Sequence, residues 1–171
     1  EPASREKYAQ TALRQVELIN AMTKETLAFA RGETQLWVRK IYLHRFFREL
    51  AEHVRRDLEE TAVQVELTLH DRGIAHFDGP KIQRAVHNLA RNAAEAIGEE
   101  VGVFEIEVDR RDDDGALVVR CRDDGPGVPE AIRERLFESF TTHGKEGGTG
   151  LGLAIARKVA QDHGGTIRCD S

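Results

Sequence analysis

His87-Asn88-Leu89-Ala90-Arg91-Asn92-Ala93-Ala94-Glu95-Ala96 is the stretch from which the fold is read. Asn88 and Asn92 lie four residues apart, so on a helix they share one face. Asn is a weak helix former, because its side chain competes for backbone hydrogen bonds. Two on one face call for a reason. An exposed polar face is one. The other is chemical: neutral amide oxygens offered to a magnesium ion, which takes few protein ligands and keeps waters and phosphate oxygens for the rest. Arg91 and Glu95 fall at the margin of that face.

Three later segments carry related chemistry. Asp123-Asp124-Gly125-Pro126-Gly127 follows a strand-like run. Its residue types suit a tight turn, but a carboxylate at a strand end can also accept a hydrogen bond from an exocyclic amine such as that of adenine. Gly147-Gly148-Thr149-Gly150-Leu151-Gly152-Leu153 opens a helical run. Glycine-rich backbone at a helix start is a ready anion site, because free N–H groups and the helix dipole point at it. It is neither a dinucleotide fingerprint nor a Walker A loop; a flexible hinge is the alternative. Between them, Leu136-Phe137-Glu138-Ser139-Phe140-Thr141-Thr142-His143 sets two phenylalanines in a polar, glycine-flanked stretch. They form either a local staple or the anchor of a lid, mobile through Gly144 to Gly148, with Lys145 available to a phosphate.

Composition sets outer bounds. The 171 residues carry 25 Lys plus Arg against 30 Asp plus Glu, a formal net charge of −5. A mildly acidic chain without a basic run is not built for nucleic acid. No apolar stretch approaches the roughly 18 residues of a membrane span, and Glu1-Pro2-Ala3-Ser4 lacks the pattern of a secretion signal. The expectation is a cytoplasmic chain with no nucleic-acid or membrane contact of its own. Cys121 and Cys169 belong to no CxxC pair, which fits a reducing compartment and excludes a cysteine-built metal site.

Periodicity predicts a helix over residues 5–31, with Tyr8, Ala12, Val16, Ile19, Thr23, Leu27 and Ala30 on one thin stripe. Residues 36–43 read as a strand or extended connector, and His44 to about Glu60 as a helix. Val63 to Leu69 alternates as a half-buried strand. Asp78 caps a helix running to about Ile97. Residues 103–108 and 116–122 form a hairpin across Asp112-Asp113-Asp114-Gly115. Short helices follow at 131–137 and 151–163, and a strand begins at Thr166–Cys169. Strands and helices without strict βαβ alternation indicate an α+β fold.

The order of these four motifs resembles the ATP-binding domain of sensor histidine kinases, in the superfamily of gyrase, Hsp90, histidine kinase and MutL ATPases. The resemblance covers roughly residues 36–171, and His163-Gly164-Gly165 is also similar to the family. The Asn-Ala-Ala-Glu-Ala wording is similar to the nitrogen-regulation type of sensor kinase. The resemblance implies a two-layer α/β sandwich of the Bergerat ATP-binding type over residues 34–171, its last strand truncated, preceded by a long N-terminal helix. Residues 1–33 would be the second helix of a dimerisation and histidine-phosphotransfer hairpin.

It also implies the site. Asn92 would hold Mg2+, with Asn88 its partner one turn earlier and Arg91 alongside. Asp123 would bind the adenine amino group, and Gly125, Gly127 and Val128 would lie beside the base. Phe137, Phe140, Thr141, Thr142 and Lys145 would belong to the lid. Gly148, Thr149, Gly150, Leu151 and Gly152 would approach the phosphates. ATPase branches of the superfamily carry a Glu one turn before the magnesium Asn; here that position is Asn88, which argues for phosphoryl transfer over hydrolysis. None of the seven histidines sits in the family's acceptor pattern, so the phosphate would pass to a histidine outside this chain, and no residue here reads as a general base. The implied partners are the phosphoacceptor helix, a response-regulator receiver domain and a second copy of the full protein. An anti-sigma-type serine kinase and a degenerate dimer scaffold are the alternatives; the helix at 5–31 argues against the first and the intact motifs against the second.

Overall fold

The computed structural model describes residues 35–141 and 150–171. The helix expected over 5–31 lies outside the described residues. Among them the chain runs β1 (Arg39–Tyr42), α1 (Leu43–Asp57), β2 (Val63–Leu69), β3 (Ile74–Phe77), α2 (Gly79–Ile97), β4 (Gly102–Arg110), β5 (Leu117–Asp123), α3 (Glu130–Arg133) and α4 (Gly152–Asp162).

α1 forms because Leu43, Phe47, Leu50, Ala51 and Val54 recur at helical spacing and are all fully buried. Tyr42 offers it no side-chain cap. The carbonyl of Gly73 accepts from Leu43 N at 3.0 Å instead, so the helix start is tied to the turn after β2. β2 turns Val63, Val65, Leu67 and Leu69 inward, as its alternation predicts.

The three-stranded sheet has the order β2-β4-β5. β2 pairs in parallel with β4, from Val63 opposite Gly102 to Leu69 opposite Val108. A parallel pair needs a crossover, and α2 supplies it. β4 and β5 form the expected hairpin, with Arg110 opposite Leu117 and Phe104 opposite Asp123. Phe104, Ile106 and Val108 point at the helices and are at most 1% exposed. Truncating Phe104 to Ala would cost about 3–5 kcal/mol. The opposite face is charged: Glu107 Oε1 receives Arg120 at 3.2 Å, and Arg122 reaches Glu107 Oε2 at 3.3 Å. The helices thus cover one face only, giving the two-layer α+β sandwich.

Four details differ from the sequence expectation. The strand β3 was not foreseen; it pairs antiparallel with β1, Ile41 opposite Ala75, in a separate two-stranded ribbon. Four residues are too few for alternation to be read. The helix expected at 131–137 is regular only over Glu130–Arg133. Beyond it Arg135, Leu136 and Glu138 donate three residues back, a tighter winding. α4 ends at Asp162 because Gly164 takes φ +73°, and Gly165 N and Gly164 N close onto the Ala160 and Gln161 carbonyls, both at 2.9 Å. Residues 165–171, expected to begin a strand at Thr166–Cys169, join no ladder. A strand exists only with a partner's hydrogen bonds.

No helix among the described residues is long and apolar enough to cross a membrane.

Candidate functional site

α2 is the spine of the site. Asp78 caps it, accepting from Lys81 N at 3.2 Å, with Pro80 in the first turn where its missing N–H costs nothing. Val86, Ala90, Ala93 and Ala94 bury one face of the helix. That leaves Asn88 and Asn92, both half-buried, on a face turned toward α4. Leu151, just before α4, and Ile155 and Val159 of α4 pack with Ile82 and Ala85 of α2. The two helices run antiparallel, so the start of α4 arrives beside the Asn pair.

There Asn88 Nδ2 donates to the carbonyl of Gly152 at 3.3 Å. A Cβ placed on Gly152 would lie 3.6 Å from Asn88 Cβ and 3.7 Å from Asn92 Nδ2. The Asn face and the glycine-rich helix start, 64 residues apart in sequence, therefore meet. Leu151 is buried at this junction, whereas Arg91 is exposed on the helix flank.

The segment that ends at Phe140 and Thr141 also meets this junction. Phe140 N donates to the Gly150 carbonyl at 2.9 Å. Gly150 has φ +63°, and a Cβ there would fall 2.6 Å from the Phe140 carbonyl carbon. Phe140 itself sits at φ +66°, uncommon for a bulky residue, and the residue is 67% exposed. Phe137 is half-buried, and the two rings make no stacking contact; the ring pairs among the described residues are Phe46–Phe47 and Phe46–Phe77. Thr141 Oγ1 donates to the Arg135 carbonyl at 3.0 Å. Thr142, Lys145, Gly148 and Thr149 lie outside the described residues.

The DxGxG turn closes the far end of α2. Asp123 is exposed at the end of β5, and its Oδ1 accepts from Gly125 N at 3.1 Å. A Cβ on Gly125 would lie 2.8 Å from that oxygen and 3.4 Å from Ile97 Cγ1. The backbone at Gly125 thus hugs the last turn of α2. Asp124 Oδ1 accepts from Val103 N at 2.8 Å, fixing the turn to β4. Gly127 has φ +77°, and Val128 N donates to Ser171 Oγ at 2.8 Å. The Cys169 thiol is pushed up, first by burial and then by the Asp170 and Asp123 carboxylates, so the last residues pass close to Asp123. Burial alone pushes the Cys121 thiol up to about 12, which makes it an inert core group.

At 1.5 Å per residue, Asn88 to Ala96 spans about 12 Å along α2. One helix therefore joins the cleft lined by Ala96, Ile97 and Gly125 to the junction at Gly152, on the scale of a nucleoside triphosphate. Among the described residues no group of three or more His, Cys, Asp or Glu is placed to hold a metal. A divalent ion here would take an Asn oxygen and lean on phosphate and water for the rest, which is magnesium's habit. Sequence reasoning missed Ala96 and Ile97 as the wall behind Gly125, because an Ala and an Ile at a helix end carry no chemical signal of their own.

Residues 77–171 match the family described as histidine kinase-, DNA gyrase B- and HSP90-like ATPase. The nitrogen regulation protein NtrY of Azorhizobium caulinodans is 41% identical over 100 residues, which is 54% of this chain and 12% of NtrY. The chain thus spans about an eighth of that relative's length. The nucleotide-free catalytic domain of histidine kinase ThkA superposes with a TM-score of 0.61 at 28% identity, covering 73% of this chain and 80% of that one. A crystal structure of ThkA in complex with response regulator protein TrrA gives a TM-score of 0.75 at 23% identity, over 96% of this chain and 46% of that one, a likeness of fold.

Proposed function

The chain belongs to the family of histidine kinase-, DNA gyrase B- and HSP90-like ATPases, and we propose that it is the catalytic domain of a two-component sensor histidine kinase, binding Mg-ATP and passing the γ-phosphate to a histidine outside this chain. The observation that carries the reading is the meeting of Asn88 with Gly152. A polar amide face and a glycine-rich helix start are the two halves of a polyphosphate cradle, and here they touch.

The roles follow from the chemistry of each group. Asp123, exposed beside the close-packed backbone of Gly125, accepts from the adenine amine, and Gly127 and Val128 border the base. The N–H groups of Gly150 and Gly152 donate to phosphate oxygens. Asn92 holds the magnesium ion through its amide oxygen, while Asn88, already donating to Gly152, sets the distance between cradle and helix. A magnesium ion held by Asn92 would supply positive charge beside the transferred phosphoryl group. Positioning and neutralisation are most of what phosphoryl transfer asks of a protein. Asn88 stands where a hydrolase would carry a carboxylate to activate water.

On this reading residues 34–171 are the catalytic domain and residues 1–33 the end of a dimerisation hairpin. The full protein pairs with a second copy and meets a receiver domain after phosphorylation, and this part of it works in the cytoplasm, whether or not the full protein is attached to a membrane. The test is a calorimetric titration with a non-hydrolysable ATP analogue, with and without magnesium. Binding that tightens with magnesium is expected; no binding in either condition, from a sample that unfolds cooperatively, overturns the proposal.

A further inference from the structure

The candidate site lies where α2 and α4 meet at one end, and the other end of the same helix pair holds a second set of directional bonds. His163 follows the last residue of α4. Its Nε2 accepts from Asp78 N at 3.0 Å, 85 residues away in sequence. Its Nδ1 lies 2.7 Å from the Val159 carbonyl. A carbonyl only accepts, so Nδ1 carries the proton; an N–H only donates, so Nε2 does not. The two contacts together specify one neutral tautomer.

Asp78 is 3% exposed, and its carboxylate is occupied by backbone on both sides: Oδ1 accepts from Lys81 N at 3.2 Å and Oδ2 from Trp37 N at 2.9 Å. His163 therefore docks on a fixed point, the cap of α2. Beside it Asp162 Oδ2 faces Lys81 Nζ at 3.6 Å, and Asp162 Oδ1 pairs with Lys158. Gly164 and Gly165 stop the helix directly after the ring, so its reach back to Val159 cannot drift along a further turn.

Between the two ends the helices touch through Leu151, Ile155, Val159, Ile82 and Ala85. Such contacts are non-directional and leave the axial position of α4 weakly specified. Directional bonds must set it. At the site end the described bond is Asn88 to Gly152, at 3.3 Å. At the tail, His163 to Asp78 at 3.0 Å and Asp162 to Lys81 at 3.6 Å add two more. α4 has 11 residues, so its two ends are about 16 Å apart and linked by a rigid rod.

We propose that His163 is a positioning residue for nucleotide binding: by accepting from Asp78 N it fixes the register of α4 on α2, and so the distance of the Gly150 and Gly152 N–H groups from Asn88 and Asn92. The inference rests on the nucleotide-site reading above. Its test uses the whole chain and a pair of carboxamides. Gln places an acceptor near the position of Nε2; Asn places one near Nδ1 and cannot reach Asp78. Affinity for a non-hydrolysable ATP analogue with magnesium is expected to fall about tenfold in His163→Asn, the size of one lost positioning hydrogen bond, and to stay within about threefold in His163→Gln. Ring 15N shifts of the nucleotide-free, unaltered protein are expected to show Nδ1 protonated and Nε2 bare. Equal affinity in both folded variants and the unaltered protein overturns the positioning role alone, as does a ring protonated at Nε2. Absence of binding by the unaltered protein, with the expected tautomer present, overturns the nucleotide-site reading and the positioning role with it. Should His163→Asn not fold, weak binding by a folded His163→Gln would overturn the role and near-native binding would support it.

Discussion

Phe140 and Gly150 stand back to back across the two ends of the segment between them. Phe140 N donates to the Gly150 carbonyl at 2.9 Å, and a Cβ on Gly150 would approach the Phe140 carbonyl carbon to 2.6 Å. Both residues have φ near +65°, at +66° and +63°. Gly150 accepts that conformation freely, and Ala would not: the left-handed region costs about 1–2 kcal/mol for a residue with a Cβ, and the contact with Phe140 is backbone that cannot swing away. Gly150→Ala is expected to lower stability by at least that amount and to weaken ATP-analogue binding. Gly152→Ala is the contrast. Its Cβ would find ordinary contact distances, 3.6 Å to Asn88 and 3.7 Å to Asn92, at a helical position. Thermal unfolding of Gly152→Ala should match or exceed that of the unaltered chain, while its new methyl, facing the Asn pair, lowers nucleotide affinity. A Gly150→Ala protein as stable as the unaltered one would contradict the backbone arrangement.

The two asparagines should separate by their dependence on magnesium. Asn92→Ala removes the ion's amide oxygen, so the gain in affinity on adding magnesium should largely vanish while ion-free binding stays. Asn88→Ala removes the bond to Gly152, at about 1 kcal/mol, and should weaken binding with and without the ion alike. Paired titrations at fixed ionic strength read this directly. A magnesium response lost in Asn88→Ala and kept in Asn92→Ala would exchange the two assignments.

Much of this arrangement could be read before any coordinates existed, for a local reason. α1 and α2 announce themselves as stripes along single segments, and Asn88 with Asn92 is a relationship within one helix. β2 and β4 alternate cleanly because one face is buried and the other charged. What stayed hidden depends on partners remote in sequence. β3 is too short to show a pattern, and it is a strand because β1 lies beside it. His163 reads in isolation as a packing histidine; its use emerges only when Asp78 N arrives from 85 residues earlier. Asp124 looked like half of a turn, yet its Oδ1 is what holds that turn to Val103.

The β2–β3 turn gives a pH dependence with a definite sign. Asp71 Oδ1 accepts from Gly73 N at 2.7 Å, and Asp71 Oδ2 pairs with Arg110 Nε at 2.6 Å. The backbone bond first, then Arg110, hold the Asp71 carboxyl below its usual range. A carboxylate with a lowered native pKa adds stability that is present above the unfolded value, about 3.9, and is lost as the pH falls through the lower native value. Urea midpoints measured from pH 6 downward should therefore fall less steeply below pH 4 in Asp71→Asn than in the unaltered chain. Parallel curves would show that this carboxylate does not contribute to acid sensitivity.

Asp123 tests the base end of the site. Its Oδ1 already accepts from Gly125 N, so removing the carboxylate touches both the turn and the proposed adenine contact. Asn separates them, because its amide oxygen can keep the bond to Gly125 while its NH2 group faces the adenine amine with donor against donor. An unsatisfied polar pair of that kind costs about 1–3 kcal/mol, or roughly 5- to 150-fold in affinity. Asp123→Asn is therefore expected to unfold at nearly the native temperature and to bind the ATP analogue at least about fivefold more weakly. The loss should be smaller for an inosine triphosphate analogue, whose 6-oxo group accepts where adenine donates. The ratio of the two affinities isolates the contact from any general loosening of the turn. An unchanged ratio, whatever the absolute affinities, would move the adenine amine away from Asp123.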